Sequence, residues 1–495
     1  MVRLSEATLP ELPAAVAVPS YDRSQLTAGI VHFGVGGFHR AHQAMYVDRL
    51  LNAGGSTEWG ICGVGVLEVD RRMKQALEEQ DHLYTLVLKH PDGTLEPRVI
   101  GSIVDYLLVP DDPQAVVEKL ADPGIRIVSL TITEGGYNFD QITREFDAGN
   151  PEVQADLEPG AAPRTVFGLV VAGLALRRER GIAPFTVMSC DNIPGNGELA
   201  RKVFTAFARL RDPELADWIE ASVHFPNSMV DRITPVTTDD DRALIAREWG
   251  IEDAWPVVAE PFEQWVLEDS FGLGRPAYET VGVQVVDDVE PYELMKLRLL
   301  NVGHQGLAYF GVLAGYTFAH EAARDPLFVG LLRRYWEREA RLTLKPVPGV
   351  DLDAYTAELI ERFGNEHVRD TLARLAAESS DRIPKWLVPV IAERVAAGGE
   401  VDASAAIVAS WARYAEGVDE SGNPITIVDR LADARHAAAL AQSSDPLAFL
   451  RDETLFGTLA NEPAFTEPYL RTLDVLHARG ARAALAALVG EPAAS

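Results

Sequence analysis

Lys296, Asn301 and His304 fall close together in the run Glu-Pro-Tyr-Glu-Leu-Met-Lys-Leu-Arg-Leu-Leu-Asn-Val-Gly-His, from Glu290 to His304. A lysine and an imidazole can carry or pass a proton, and an amide can hold an oxygen while the proton moves. The surrounding stretch reads as a largely apolar helix. Pro291 suits its first turn, where a fixed φ and a missing N–H cost nothing. Leu294, Leu297, Leu300 and Leu307 are expected to supply its buried face. At about 100° per residue, Lys296 and His304 lie roughly 80° apart, with Asn301 roughly 60° beyond His304. All three then line one side of a cavity, as a proton-transfer site requires. Tyr292-x-x-x-Lys296 also matches a tyrosine–lysine spacing used by single-domain dehydrogenases. Here the pair falls outside the nucleotide-binding portion, so the tyrosine is discounted as the base.

A second chemical element is Asp191-Asn192, which follows the apolar run Phe185–Cys190. In open α/β sheets ligands bind at the carboxyl ends of strands. Asn192 and Asn301 can each donate an N–H to one substrate oxygen, a two-donor oxyanion hole. Lys296 is then the acid/base, provided burial and positive neighbours lower its pKa toward neutrality. No His/Asp/Glu cluster with ligand spacing lies near His304, so no metal is expected.

These groups need a scaffold, and the first part of the chain reads as one. Gly29–Phe33 is a short buried strand, followed at once by Gly34-Val35-Gly36-Gly37-Phe38-His39-Arg40 and a helical run to Leu51. A second strand, Trp59–Leu67, ends in Glu68 and Asp70. Strand, glycine turn, helix, strand and acid is the order of a dinucleotide-binding βαβ unit. Gly34 permits the tight turn, Gly36 lets the backbone approach a pyrophosphate, and the helix start favours the anion. His39 stands where the third glycine of the motif is usual, and Arg40 is a phosphate-contact candidate. Glu68 or Asp70 on a ribose diol would repel a 2′-phosphate, which favours NAD over NADP.

Strands and helices then alternate. Strands are expected at Tyr84–Lys89 and Arg98–Val109 around the turn Pro91-Asp92-Gly93, and at Ile125–Thr133. Helices are expected at Asp112–Leu120, Thr165–Arg180, Gly197–Leu210 and Glu214–Ser222. This is the pattern of a doubly wound, mostly parallel sheet. Beyond Pro291 strand signals nearly vanish. The fold class expected is α/β, with residues 1–285 a Rossmann-type dinucleotide-binding domain. Residues 286–495 form a mainly helical substrate-binding and catalytic domain.

Composition narrows the partners. The 495 residues are 47% hydrophobic, enough for a large core. Lys+Arg of 45 against Asp+Glu of 74 gives a net charge of −29, which opposes nucleic acid and anionic membranes as partners. Cys62 and Cys190 are the two cysteines, both in apolar runs, which fits a reduced cytoplasmic setting without disulfides or Cys-rich zinc sites. Neither a signal peptide nor a membrane-spanning apolar run is expected.

Five motifs also carry a resemblance. Gly34-Val-Gly-Gly-Phe-His-Arg-Ala-His, Thr131-Ile-Thr-Glu-Gly-Gly-Tyr and Ser189-Cys-Asp-Asn-Ile-Pro-Gly-Asn-Gly resemble the polyol-specific long-chain dehydrogenases. So do Phe225-Pro-Asn-Ser-Met-Val-Asp-Arg-Ile-Thr-Pro and Lys296-Leu-Arg-Leu-Leu-Asn-Val-Gly-His. The match runs nearly end to end and is nearest to the mannitol 2-dehydrogenase branch. It implies a metal-free, monomeric NAD enzyme that interconverts D-mannitol and D-fructose, with the substrate at the seam of two domains. Lys296 is implied as the base, Asn192 and Asn301 as the oxyanion amides, and His304 and Asp231 as hydroxyl ligands. Glu293 is implied on a proton route to solvent, with Glu134 assisting. Arg374 and Lys385 resemble polyol contacts. The family shares the departure at His39. A D-arabinitol dehydrogenase or a keto-hexuronate (fructuronate or tagaturonate) reductase are the alternatives.

Overall fold

The computed structural model describes residues 1–139 and 145–490. The chain forms two compact units, Met1–Val289 and Glu290–Ser495.

The first unit is built on a five-stranded sheet of Ile103–Leu108, Gly60–Gly65, Ala28–Phe33, Ile127–Leu130 and Thr186–Ser189, in that spatial order. All four pairings are parallel. Numbered along the chain the order is 3-2-1-4-5, so the sheet reverses direction between Ala28–Phe33 and Ile127–Leu130. That reversal is where a doubly wound sheet opens a ligand crevice. The strands are apolar throughout because both faces are covered. Val31, Phe33, Cys62, Val64, Val128, Leu130 and Val187 feed one core, and Ile30, Ile61, Ile127 and Met188 feed the other. This alternation is the period-2 pleat. The first core is closed by helices including Val166–Glu179 and Asn196–Arg211, the second by Gln43–Asn52.

Most expected elements form within a residue or two of their expected bounds, with one correction. The apolar run Arg98–Val109 is two strands, Leu95–Ile100 and Ile103–Leu108. Leu95–Ile100 pairs antiparallel with Tyr84–Lys89 in a separate sheet, and Ile103–Leu108 joins the main one. The break falls at Gly101, whose N–H is taken by Asp48 Oδ1 at 3.0 Å, and a Cβ there would lie 2.9 Å from Pro19. A third sheet pairs Gln264–Glu268 with Ser228–Asp231 and Gln284–Val286. The two cysteines are buried and free.

The second unit is helical. Val302–Leu313 packs on Leu372–Ala376 and Asp402–Tyr414, and the latter packs on Pro463–Val489, two helices that meet at a kink at Gly480. Trp411 anchors this core against Phe449 and Phe456, at ring distances of 5.0 and 5.9 Å. Buried Glu339 closes the start of Asp402–Tyr414, accepting the N–H groups of Ala403 and Ser404 at 2.7 and 2.9 Å. Among the described residues no helix is long and apolar enough to cross a membrane.

Candidate active site

In the first unit the glycine turn follows Ala28–Phe33 directly. Gly34 has φ +89°, and a Cβ there would lie 2.1 Å from the Thr131 carbonyl oxygen, so only glycine fits. Thr131 Oγ1 donates to the Gly34 carbonyl at 2.7 Å, tying together the two strand ends that flank the sheet reversal. Gly36 is exposed and caps the Gly37–Ala41 helix; the nearest atom to a Cβ there would be 3.9 Å away. A side chain at Gly36 would therefore occupy open space above the turn. Val35 beside it is buried.

Helix residues beyond the turn face inward. His39 stacks on His32 at 3.4 Å with their planes 13° apart. His32 bonds Ser129 Oγ at 2.8 Å through Nδ1, and its Nε2 lies 3.2 Å from the Gly34 carbonyl and 3.0 Å from Thr131 Oγ1. The usual third glycine lets helix and strand approach closely. Here a flat imidazole pair fills that layer instead. Burial pushes the His32 pKa down to about 3, and that of His39 well below its ordinary value, so both are neutral. Phe38 stacks on His42 at 4.8 Å. Arg40 is buried, donates to the Trp255 carbonyl and lies 5.1 Å over the Tyr84 ring, while Tyr84 Oη donates to the Arg40 carbonyl at 2.7 Å. Its guanidinium is committed to the fold interior.

The two acids after Gly60–Gly65 differ. Asp70 Oδ2 accepts the N–H groups of Val66 and Leu67, each at 2.9 Å, and so shapes the loop. Glu68 is exposed and forked by Arg71 at 2.5 and 3.0 Å, which holds its carboxyl below the usual range. Arg71 also pairs with Asp111 at 2.6 Å.

Asp191 clamps the neighbouring loop. Its carboxylate accepts Thr133 N–H at 2.7 Å, Ile132 N–H at 3.2 Å and Tyr137 Oη at 2.7 Å. Tyr137 Oη also meets Ser189 Oγ at 2.6 Å. The clamp holds Thr133 at φ +60°, a conformation a β-branched residue seldom adopts. Asn192 follows with its side chain exposed. Asn196 donates to the carbonyls of Asp191 and Ser228 at 2.9 and 2.7 Å, which fixes the turn carrying Asn192. Asp231 is buried at the end of Ser228–Asp231, opposite Gln264. Glu134 lies on Thr133–Gly136, and its side chain is outside the described residues. Sequence reasoning gave no role to His32, Tyr137 or Asn196, although His32 is a polar residue inside an apolar strand and the other two lie within the Thr131–Tyr137 and Ser189–Gly197 motifs.

In the second unit the expected α-helix is interrupted. Glu290–Met295 is α-helical, Lys296–Asn301 is a π-turn, and Val302–Leu313 is α-helical again. Val302 N–H reaches back to the Leu297 carbonyl, an i→i+5 bond. This corrects the angular reading made with α geometry: Asn301 lies one wide turn after Lys296, not about 140° around the axis. Lys296, Asn301 and His304 are 6, 5 and 9% exposed. The helix is also buried all round from Met295 to Phe310, rather than on one leucine face, and Leu294 is only half-buried. Asn301 Nδ2 is buried with no hydrogen-bond partner among the described residues. An orphaned buried donor is costly and marks a place for an acceptor. His304 lies 4.4 Å from the Phe363 ring. Tyr292 donates its hydroxyl to the Pro348 carbonyl at 2.8 Å, and Glu293 is half-buried. Arg374 forks Asp370 from the middle of Leu372–Ala376, and Lys385 is half-buried on Ser379–Trp386. Among the described residues no group of three or more His, Cys, Asp or Glu could hold a metal ion.

Comparison with known proteins decides the family. Residues 28–280 match the mannitol dehydrogenase Rossmann domain, and residues 288–477 match the mannitol dehydrogenase C-terminal domain. The chain belongs to the mannitol dehydrogenase family. A mannitol 2-dehydrogenase of Neosartorya fischeri is 46% identical over 466 residues, covering 92% of this chain and 93% of that protein. A mannitol dehydrogenase of Saccharomyces cerevisiae is 44% identical over 485 residues, covering 97% and 96%. Among solved structures, the ternary complex of Pseudomonas fluorescens mannitol 2-dehydrogenase with NAD and D-mannitol matches with a TM-score of 0.91 at 47% identity. It covers 99% of this chain and 100% of that one. A D-sorbitol dehydrogenase in substrate-free form matches with a TM-score of 0.89 at 39% identity, covering 97% and 100%. The Rossmann-type first unit and helical second unit are thus the family's own.

Proposed function

We propose that this chain catalyses the NAD-dependent, reversible oxidation of D-mannitol at C2 to D-fructose, with Lys296 as general base and without a metal. Its membership of the mannitol dehydrogenase family supports the reaction, as does its likeness to an enzyme solved with NAD and D-mannitol. The observation that carries the mechanism is the π-turn, which sets a buried lysine one turn before a buried amide with an orphaned N–H.

The glycine turn fits a dinucleotide: Gly34 makes the bend and Gly36 leaves the approach open. Glu68 or Asp70, bound to the ribose diol, would repel a 2′-phosphate, which supports NAD over NADP. NAD, when bound, accepts the hydride that leaves C2. Neutral Lys296 takes the C2 hydroxyl proton and becomes the ammonium, while the C2–O bond becomes a carbonyl. Asn301 and Asn192 donate N–H bonds to the oxygen as negative charge builds on it. His304 and Asp231 hold neighbouring hydroxyls, Glu293 passes the proton outward, and Arg374 and Lys385 hold the far end of the polyol. The chain acts as a cytoplasmic monomer, in keeping with its two buried free cysteines.

Lys296→Ala is the deciding experiment. Turnover of mannitol and fructose should fall by about 10²- to 10⁴-fold while NADH still binds. An active Lys296→Ala enzyme together with a dead Tyr292→Phe enzyme would replace this mechanism by a tyrosine base. Mannitol, sorbitol, arabinitol, fructuronate and tagaturonate, each tried with NAD(H) and NADP(H), rank the substrates. Light scattering checks the monomer.

A further inference from the structure

A π-turn persists where groups outside the helix hold it, because its hydrogen bonding is less favourable than that of an α-helix. Here two groups grip the middle of Lys296–Asn301. Trp336 is 1% exposed on the Pro326–Arg338 helix and donates Nε1–H to the Leu299 carbonyl at 2.9 Å. Arg298, also buried, donates to the Thr343 carbonyl at 2.9 Å and forks the Glu393 carboxylate at 2.9 and 2.7 Å. Consecutive residues of the turn are thereby fixed to three separate segments: Pro326–Arg338, Ala340–Thr343 and Val388–Ala396. One bond acts on the backbone and the other three act through a side chain, so the turn is held against both unwinding and rotation.

We propose that Trp336 and the Arg298–Glu393 pair are positioning residues for the base. They hold the π-turn that sets Lys296 one wide turn before Asn301, so that amine and amide meet the same substrate oxygen. The inference rests on Lys296 being the base. If the turn relaxed to α geometry at the same residue count, Asn301 would swing to about 140° from Lys296 around the axis. Its N–H would then leave the oxygen whose proton the lysine removes.

The test uses the full chain with mannitol and NAD. Trp336→Phe keeps the ring packing and removes one donor. Arg298→Met removes the fork, and Arg298→Lys returns the charge without the fork. Trp336→Phe and Arg298→Met should each lower kcat about 10- to 100-fold, the scale of a small misplacement at a reacting centre. NADH affinity should stay within about twofold of wild type, and Arg298→Lys should recover part of the loss. Wild-type kcat in folded variants would overturn the proposal. So would a joint fall of kcat, NADH affinity and melting temperature. A crystal structure of the Trp336→Phe/Arg298→Met double variant supplies a readout independent of turnover. An unchanged π-turn there would also overturn the proposal, and an α-helical segment would support it. Failure of the underlying mechanism looks different: Lys296→Ala would keep its activity, and the double variant's structure would still decide what braces the turn.

Discussion

The glycine turn of the first unit and the π-turn of the second are both departures from regular backbone, made by opposite means. At Gly34 the departure is written into the residue type, since φ +89° and the nearby Thr131 carbonyl exclude any side chain. At Lys296–Asn301 every residue type is compatible with an ordinary α-helix. The departure there lies in hydrogen-bond register and in partners such as Trp336, far along the chain. The first site works mainly through backbone shape, the second through buried side-chain groups. Substitutions should therefore separate binding from chemistry.

The largest separation is expected at Lys296. Lys296→Ala should cost about 10²- to 10⁴-fold in kcat, the usual contribution of a general base, with NADH affinity unchanged in a fluorescence titration. Next in size is a pH effect confined to the second unit. Burial raises the Glu339 pKa from 4.5 to about 7. A carboxyl whose pKa is higher in the folded state takes up a proton on folding. Its stabilising contribution is complete below pH 4.5 and is lost as pH rises through about 7. A shift of this size corresponds to roughly 3 kcal/mol at most. Denaturant titrations at pH 5 and pH 8 should show the second unit less stable at pH 8, and Glu339→Gln should flatten that difference.

Gly34→Ala is the converse of Lys296→Ala. Its Cβ would meet the Thr131 carbonyl, and the left-handed φ adds about 1–2 kcal/mol. NADH affinity should fall along with the melting temperature of the first unit. A variant that lost kcat alone would break the contrast between the two sites. The smallest effect is expected from Tyr292→Phe, which removes only a bond to the Pro348 carbonyl and should change kcat less than about threefold.

The same contrast explains what could be read from the chain. Strand, glycine turn, helix and acid were legible because each depends on residue types adjacent in sequence. Gly101 was passed over because the apolar alternation of Arg98–Val109 continues through it, although the strands on either side join different sheets. Arg40 read as a phosphate-contact candidate because its partners, Tyr84 and Trp255, lie far along the chain. The π-turn left no trace, since a helix buried all round has no polar face whose drift would show a change of pitch. Lys296, Asn301 and His304 stood out as polar residues in an apolar run. Their mutual geometry did not, because it is fixed by Trp336, Arg298 and Glu393.

The imidazole pair beneath the glycine turn bears on how kinetic data will be read. Two rings 3.4 Å apart, both sealed from water, cannot both take up a proton, and His32 stays neutral down to about pH 3. A histidine is ordinarily the first suspect when activity changes between pH 5 and pH 8. Here these two are silent across that range, so a pH–rate inflection near neutrality belongs to other groups.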